Sequence, residues 1–243
     1  MKKTTTLLTG FLLLTIILHA QNKQPKYLAE IALGPSFPLG RFASTEFKDG
    51  EVPGFAKSGI STQLSLGYYL KESIGVMLIA GYAAHPQDEK DFKAELEKDI
   101  PGLTVNKMDL KSWRTLKLMA GGFWVTPLTA ESELALRTKL TAGVAKSAVP
   151  EVDFSGTGPG TGVTSSGHGD RTSLPWGFCY QVSVAMEYKL NSNLHLLLDI
   201  NSFNTTIKDK ISFTDQSSGT TTTVNLKYKQ PAVNVMAGVG LNF

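Results

Sequence analysis

Apolar and polar residues alternate along eight separate stretches of this 243-residue chain, and the last is the most regular. Between Ala232 and Phe243, one face holds Val233, Val235, Ala237, Val239, Leu241 and Phe243. Asn234, Met236, Gly238, Gly240 and Asn242 share the other. A period of two is the spacing of a strand whose faces meet different surroundings. The same alternation predicts strands over Tyr27–Gly34, Gly59–Leu70, Ile74–Tyr82, Trp113–Trp124, Glu133–Ala145, Gly177–Leu190 and Leu194–Phe203. Pro35-Ser36-Phe37-Pro38-Leu39-Gly40 reads as a break after the first of them.

The connections alternate between long and short. Lys71-Glu72-Ser73, the turn around Thr126-Pro127-Leu128-Thr129, and Asn191-Ser192-Asn193 each join two strands, and such short links allow only antiparallel hairpins. The other connections are long inserts. Gln87–Lys98 reads as a helix: Pro86 precedes it, acids crowd its first turn, and Pro101-Gly102 ends it. Ser155–Gly169 is rich in Gly, Ser and Thr and reads as a mobile loop. Asn204–Pro231 is expected to hold a β-extension, with Ile211-Ser212-Phe213 and Val224–Tyr228 flanking Gly219. The fold class that follows is all-β, an eight-stranded antiparallel up-and-down transmembrane β-barrel with four long loops and a short loop helix. All short turns and both chain ends would lie at one end of it.

The aromatic positions suggest which face meets lipid. Tyr27, Tyr68, Trp124, Tyr188 and Phe243 lie on the apolar face at the short-turn level of five strands. One face and one level describe an interfacial girdle; aromatics capping a soluble core would not share both. Tyr82, Phe178 and Tyr180 suggest a sparser belt at the other end. Arg114 shares the apolar face but lies at the loop end, where it can snorkel. The opposite face carries Glu30, Lys117, Arg137, Lys139, Glu187 and Asp199 among Gly67, Gly75, Gly81, Gly121, Gly143, Gly238 and Gly240. An eight-stranded barrel has an interior just wide enough for side chains. Three bases and three acids can pair there as a lumen charge network, where unpaired charge is costly.

Lys2 and Lys3, an apolar run from Leu7 to Leu18 and then Leu18-His19-Ala20 have the parts of a secretory signal peptide. That run is shorter than the roughly 20 residues of a membrane-spanning helix. The expected division is a signal over residues 1–20 and a barrel domain over 21–243; a retained anchor is the alternative. Without Lys2 and Lys3 the chain carries 22 basic and 21 acidic residues, so its charge gives no reason to expect a nucleic-acid partner. Its single cysteine, Cys179, precludes an internal disulfide.

Taken together, these features resemble the small bacterial outer-membrane β-barrels of the kind typified by the OmpA membrane domain and OmpX. The segments Ala20-Gln21 and Gly34-Pro35-Ser36-Phe37-Pro38-Leu39-Gly40 are more similar to the outer-membrane β-barrel-domain proteins of Bacteroidota. The last strand, ending on Phe243, resembles the C-terminal assembly signal read by barrel-assembly machinery. The resemblance implies an outer-membrane location in a Gram-negative cell, both termini in the periplasm, and outer-membrane lipids as partners. It carries over no catalytic residue.

A search for chemistry finds little. His195 and Asp199 lie four apart on the lumen face and read as a hydrogen-bonded pair. His85 and His168 fall in different long loops; a hydrolase site built on them would need a nucleophile motif that is missing. Gly156, Gly158, Gly160 and Gly162 lack the strand, helix and Lys-Ser/Thr of a phosphate loop. Asp88, Glu89, Asp91, Glu95, Glu97 and Asp99 alternate with lysines and read as a solvated helix face. No metal-ligand spacing appears, so neither metal nor cofactor is expected. The expected protein is a monomeric, non-enzymatic barrel with a filled lumen, acting structurally or by adhesion to an external ligand or protein. A lipid-modifying enzyme and a soluble lipocalin-like carrier are the alternatives.

Overall fold

The computed structural model describes residues 26–46, 52–129, 133–158, 164–214 and 221–243. The signal segment and the turn at Gly219 lie outside them. The strands are β1 (Tyr27–Pro38), β2 (Gly59–Lys71), β3 (Ile74–His85), β4 (Thr104–Leu110), β5 (Trp113–Pro127), β6 (Leu134–Val149), β7 (Val152–Thr157), β8 (Thr164–Gly169), β9 (Thr172–Lys189), β10 (Leu194–Thr214), β11 (Thr221–Lys229) and β12 (Ala232–Asn242). Two helices join them, α1 (Gly40–Ala43) and α2 (Glu89–Asp99).

Eight strands close a ring in the order β1-β2-β3-β5-β6-β9-β10-β12, every pair antiparallel, and β12 returns to β1. Closure leaves no unpaired edge within the wall. The seam is pinned at its foot, where the Lys26 and Tyr27 amides donate to the Phe243 carbonyl at 3.1 and 2.8 Å. Wall strands run from 11 residues in β12 to 21 in β10. Crossing a bilayer takes about 9–11 residues, so the longest strands rise well beyond the wall. β11 pairs only with that rise, from Thr206–Lys229 to Thr214–Thr221.

The two faces of the wall differ as a transmembrane barrel requires. Leu140, Leu78 and Phe178 expose 65%, 61% and 64% of their surface to the outside. Polar residues point inward, and Arg137 and Asp199 are both fully buried. A soluble carrier needs the reverse, with apolar side chains lining the lumen. Part of the interior is apolar too: Leu28, Met77, Ile79, Met119, Phe123 and Phe203 form one cluster, with Cys179 among them. Gly75 is needed there, because a Cβ at that position would run into the Phe123 ring.

Four local expectations are corrected. Pro35 does not break the first strand; β1 continues through it to Pro38, with Ser36 and Phe37 registered on Asn234 and Val233 of β12. A proline removes one ladder donor, but pairing on both flanks carries the strand past it. His85 ends β3 inside the barrel mouth rather than lying in a loop. Part of the stretch Ser155–Gly169 belongs to strands: β7 and β8 form a hairpin, and β7 pairs β4 from the preceding insert. Small residues tolerate an extended backbone; the partner strand that orders them comes from a different loop. Helix α2 starts two residues later than expected, with Asp88 as its N-cap accepting from the Asp91 amide at 3.2 Å.

Candidate functional site

The charge network of the lumen is built from inward positions of six wall strands. Register places Glu30 of β1 opposite Gly240 of β12, and Gly240 opposite His195 of β10. Gly240 leaves room for both neighbours, since a Cβ there would strike the His195 ring. From β6, Arg137 reaches across the barrel. Its Nη1 contacts Glu30 and lies 2.8 Å from Glu187 Oε1, and its Nη2 donates to the Tyr69 hydroxyl at 2.9 Å. Lys139 Nζ lies 2.6 Å from Asp199 Oδ2 and 3.5 Å from Glu30 Oε2. Asp199 also accepts from Ser183 and Asn201, at 2.7 and 2.8 Å, and Asn201 in turn accepts from Asn234 at 2.6 Å. Buried charge of this kind is tolerable only when paired and hydrogen-bonded.

Five of the six charged residues singled out in the sequence thus meet in one network. Lys117 is held differently: its ammonium donates to Gln181 Oε1 at 2.7 Å and lies over the Phe203 ring, 4.7 Å from its centroid. Gln181 continues the chain to Gln63 at 3.1 Å. His195 does not pair with Asp199 as expected. Its Nε2 faces Glu30 at 3.5 Å, while Asp199 is taken by Lys139. Tyr69, Gln63, Gln181 and Asn201 were visible in the sequence only as inward positions; nothing local tells which charge each would meet.

The two ends of the lumen differ. At the loop end Phe42, Ala56, Trp113, Leu174, Ile207 and Tyr228 pack together, and the Trp113 indole donates to the Gly54 carbonyl at 2.8 Å. Beneath this cluster Ser36 and His85 are hydrogen-bonded at 2.8 Å, both buried. Among the described residues His85 Nδ1 has no hydrogen-bond partner, so none of them orients the imidazole of this pair. The short-turn end opens into a cavity of about 590 Å³, bordered by Tyr69, Lys71, Glu187, Lys189 and His195.

The aromatic residues at that end are placed as follows. Tyr27 is registered on Tyr68, and its ring centroid lies 5.3 Å from that of Tyr68 and 5.7 Å from that of Phe243. Trp124 is registered on Ile74, and Tyr188 on Leu134. All five rings are at least partly exposed on the outer wall.

The loop face is itself structured. β4, β7 and β8 form a three-stranded sheet, and α2 rests on it through Glu97 and Glu89, which accept from the Val105 and Leu110 amides at 2.7 and 3.3 Å. Two of the acids expected on a solvated helix face are therefore anchors. On the sheet, Asp109, Asp153 and His168 lie in register across the three strands. The His168 nitrogens lie 2.6 Å from Asp153 and 3.0 Å from Asp170. These hydrogen bonds raise the His168 pKa above its ordinary value and favour the imidazolium.

Glu151, Asp153 and His168 bring ligand-type atoms within 4.8 Å of one another, as do Glu30, Glu187 and His195. In the inner group the Arg137 guanidinium already contacts both glutamates. Neither group was visible in the sequence, because its members come from separate elements.

No family model matches the chain, and no curated protein matches it. Solved structures do. The outer-membrane protein OprG of Pseudomonas aeruginosa matches with a TM-score of 0.52 at 12% identity, over 91% of this chain and 97% of that one. Neisserial surface protein A matches at a TM-score of 0.46 and 9% identity, over 89% and 97% of the two chains. Ail, the attachment invasion locus protein of Yersinia pestis, matches at 0.42 and 12%, over 91% and 100%. The OprG likeness supports the fold, a small barrel of the outer-membrane type.

Proposed function

We propose that the protein is an integral outer-membrane protein that works through its loop face, as a binding or structural element of the cell surface, and that its barrel is not a wide pore. One observation carries this reading: the lumen is filled and capped while the loops are built up. Arg137, Lys139 and their acids fill the middle of the barrel, and the Phe42–Trp113–Tyr228 cluster closes the loop end. The loop end also carries the β4–β7–β8 sheet, α2 and the β10–β11 extension, which supplies Ile207 and Tyr228 to the cap. A scaffold held by lipid on its outside and by packing on its inside leaves the loops as the place for recognition. On this reading Lys26 and Phe243 face the periplasm, the closing strand serves as the assembly signal, and the protein acts as a monomer without catalysis.

An epitope inserted after Gly158, between β7 and β8, is expected to be labelled on intact cells. An epitope placed just before Lys26 is expected to be labelled only after permeabilisation. The reverse pattern would overturn the orientation. In planar bilayers the purified protein is expected to give no porin-sized conductance steps; their presence would overturn the closed lumen.

A further inference from the structure

We propose that one side of the outer wall binds the phosphate groups of anionic lipids through a cationic arc formed by Arg114, Lys146, Lys208 and Lys227. The proposal rests on the outer-membrane reading above. Its starting point is a one-sided distribution of charge. At the loop end Arg114 of β5 and Lys146 of β6 face outward from the wall, and Lys208 and Lys227 face outward from the β10–β11 extension that continues it. No Asp or Glu among the described residues of the ring strands or β11 faces the same way. Glu30, Glu187 and Asp199 are buried in the lumen, and Asp209 lies on the inner side, in register with Leu226 next to Tyr228.

The register makes these cations neighbours. Arg114 stands opposite Ala148, two residues from Lys146 on β6. Lys146 stands opposite Trp176 of β9, with its ammonium 5.9 Å from the indole centroid. Trp176 lies two residues beyond the last β9–β10 pair on one strand, and Lys208 two residues beyond it on the other. Lys208 stands opposite Lys227. The cations therefore lie on β5, β6, β10 and β11, with Trp176 of β9 between Lys146 and Lys208, beyond the exposed rings of Phe178 and Tyr180.

The rest of the ring has no counterpart. At the same end β12, β1, β2 and β3 turn out Val233, Phe37, Ile60 and Tyr82. Lipid chains explain those apolar residues on every side. They do not explain outward cations on β5, β6, β10 and β11 with no outward acid among the described residues of those strands. Long basic side chains at that depth keep their stems on the apolar wall and carry their charge to headgroup level. A row of point charges beside an indole matches a row of lipid phosphates.

The test uses the full mature chain in nanodiscs of phosphatidylcholine and phosphatidylglycerol, with co-retained lipids counted by native mass spectrometry after mild release. The wild type should retain phosphatidylglycerol in preference to phosphatidylcholine. Neutralising Lys146→Gln and Lys208→Gln should each lower that preference about fivefold. The paired control Lys71→Gln with Lys189→Gln, at the other mouth, should leave it intact. Equal retention by wild type and arc variants, or equal loss in the control, overturns the arc. A shift on heating in gel mobility of the same samples checks that each barrel is folded. A chain that inserts and folds without lipid preference refutes the arc alone, whereas one that never enters the bilayer refutes the membrane reading with it.

Discussion

Arg137→Met should be among the most damaging single substitutions in this protein, lowering stability by about 3–5 kcal/mol. Arg137 is the cation that both Glu30 and Glu187 contact, and all three are buried. Removing it leaves Glu187 without that guanidinium and leaves Glu30 to Lys139 at 3.5 Å. The cost arises less from the lost attraction than from Glu187 stranded away from water and Glu30 left with one longer contact. Combining Arg137→Met with Glu30→Gln and Glu187→Gln should recover most of the loss, because neutral amides need no counter-charge. Urea unfolding in lipid vesicles, followed by tryptophan fluorescence, measures both. A small effect of Arg137→Met alone would mean that water reaches the network freely from the short-turn cavity.

Leu78→Arg tests the other face of the same wall. Leu78 lies midway along β3 between Ile74, which is level with Trp124, and Tyr82 in the upper belt. Its side chain is 61% exposed to the outside. A cation at the centre of a bilayer costs about 2–4 kcal/mol in a barrel and about 0–1 near the interface. Leu78→Arg should therefore destabilise the protein in vesicles far more than Ile60→Arg, which lies at the loop end of β2. The natural Arg114, at a similar end position, is the precedent within the chain. Equal costs at the two depths would mean that this face does not lie against hydrocarbon.

The wall was legible because its signal is local. Each ring strand alternates between two solvents, lipid outside and a packed lumen inside, and a period of two survives in the sequence wherever that contrast holds. Parity alone brought Glu30, Arg137, Lys139, Glu187 and Asp199 to one interior. Parity cannot choose partners: it offers His195 the acid four residues on, Asp199. The structure gives Asp199 to Lys139 and turns His195 toward Glu30.

The loop face was mostly hidden. β4 and β7 meet through pairs such as Asp109 with Asp153, from two different inserts. A bulge after Val105 breaks the alternation of β4, β7 alternates only through Val152 and Phe154, and the Gly/Ser/Thr content of β8 points toward a flexible linker. Their order comes from pairing across loops and from the anchoring of α2 by Glu89 and Glu97. The β10–β11 extension was easier to see, because both strands belong to one insert.

Gel mobility of an outer-membrane fraction, with and without boiling in SDS, tests most directly whether the chain is a closed barrel living in that membrane. The protein should be recovered with the membrane, released only by detergent, and should migrate differently before and after heating. Recovery as a soluble periplasmic protein, with one mobility under both conditions, would contradict it.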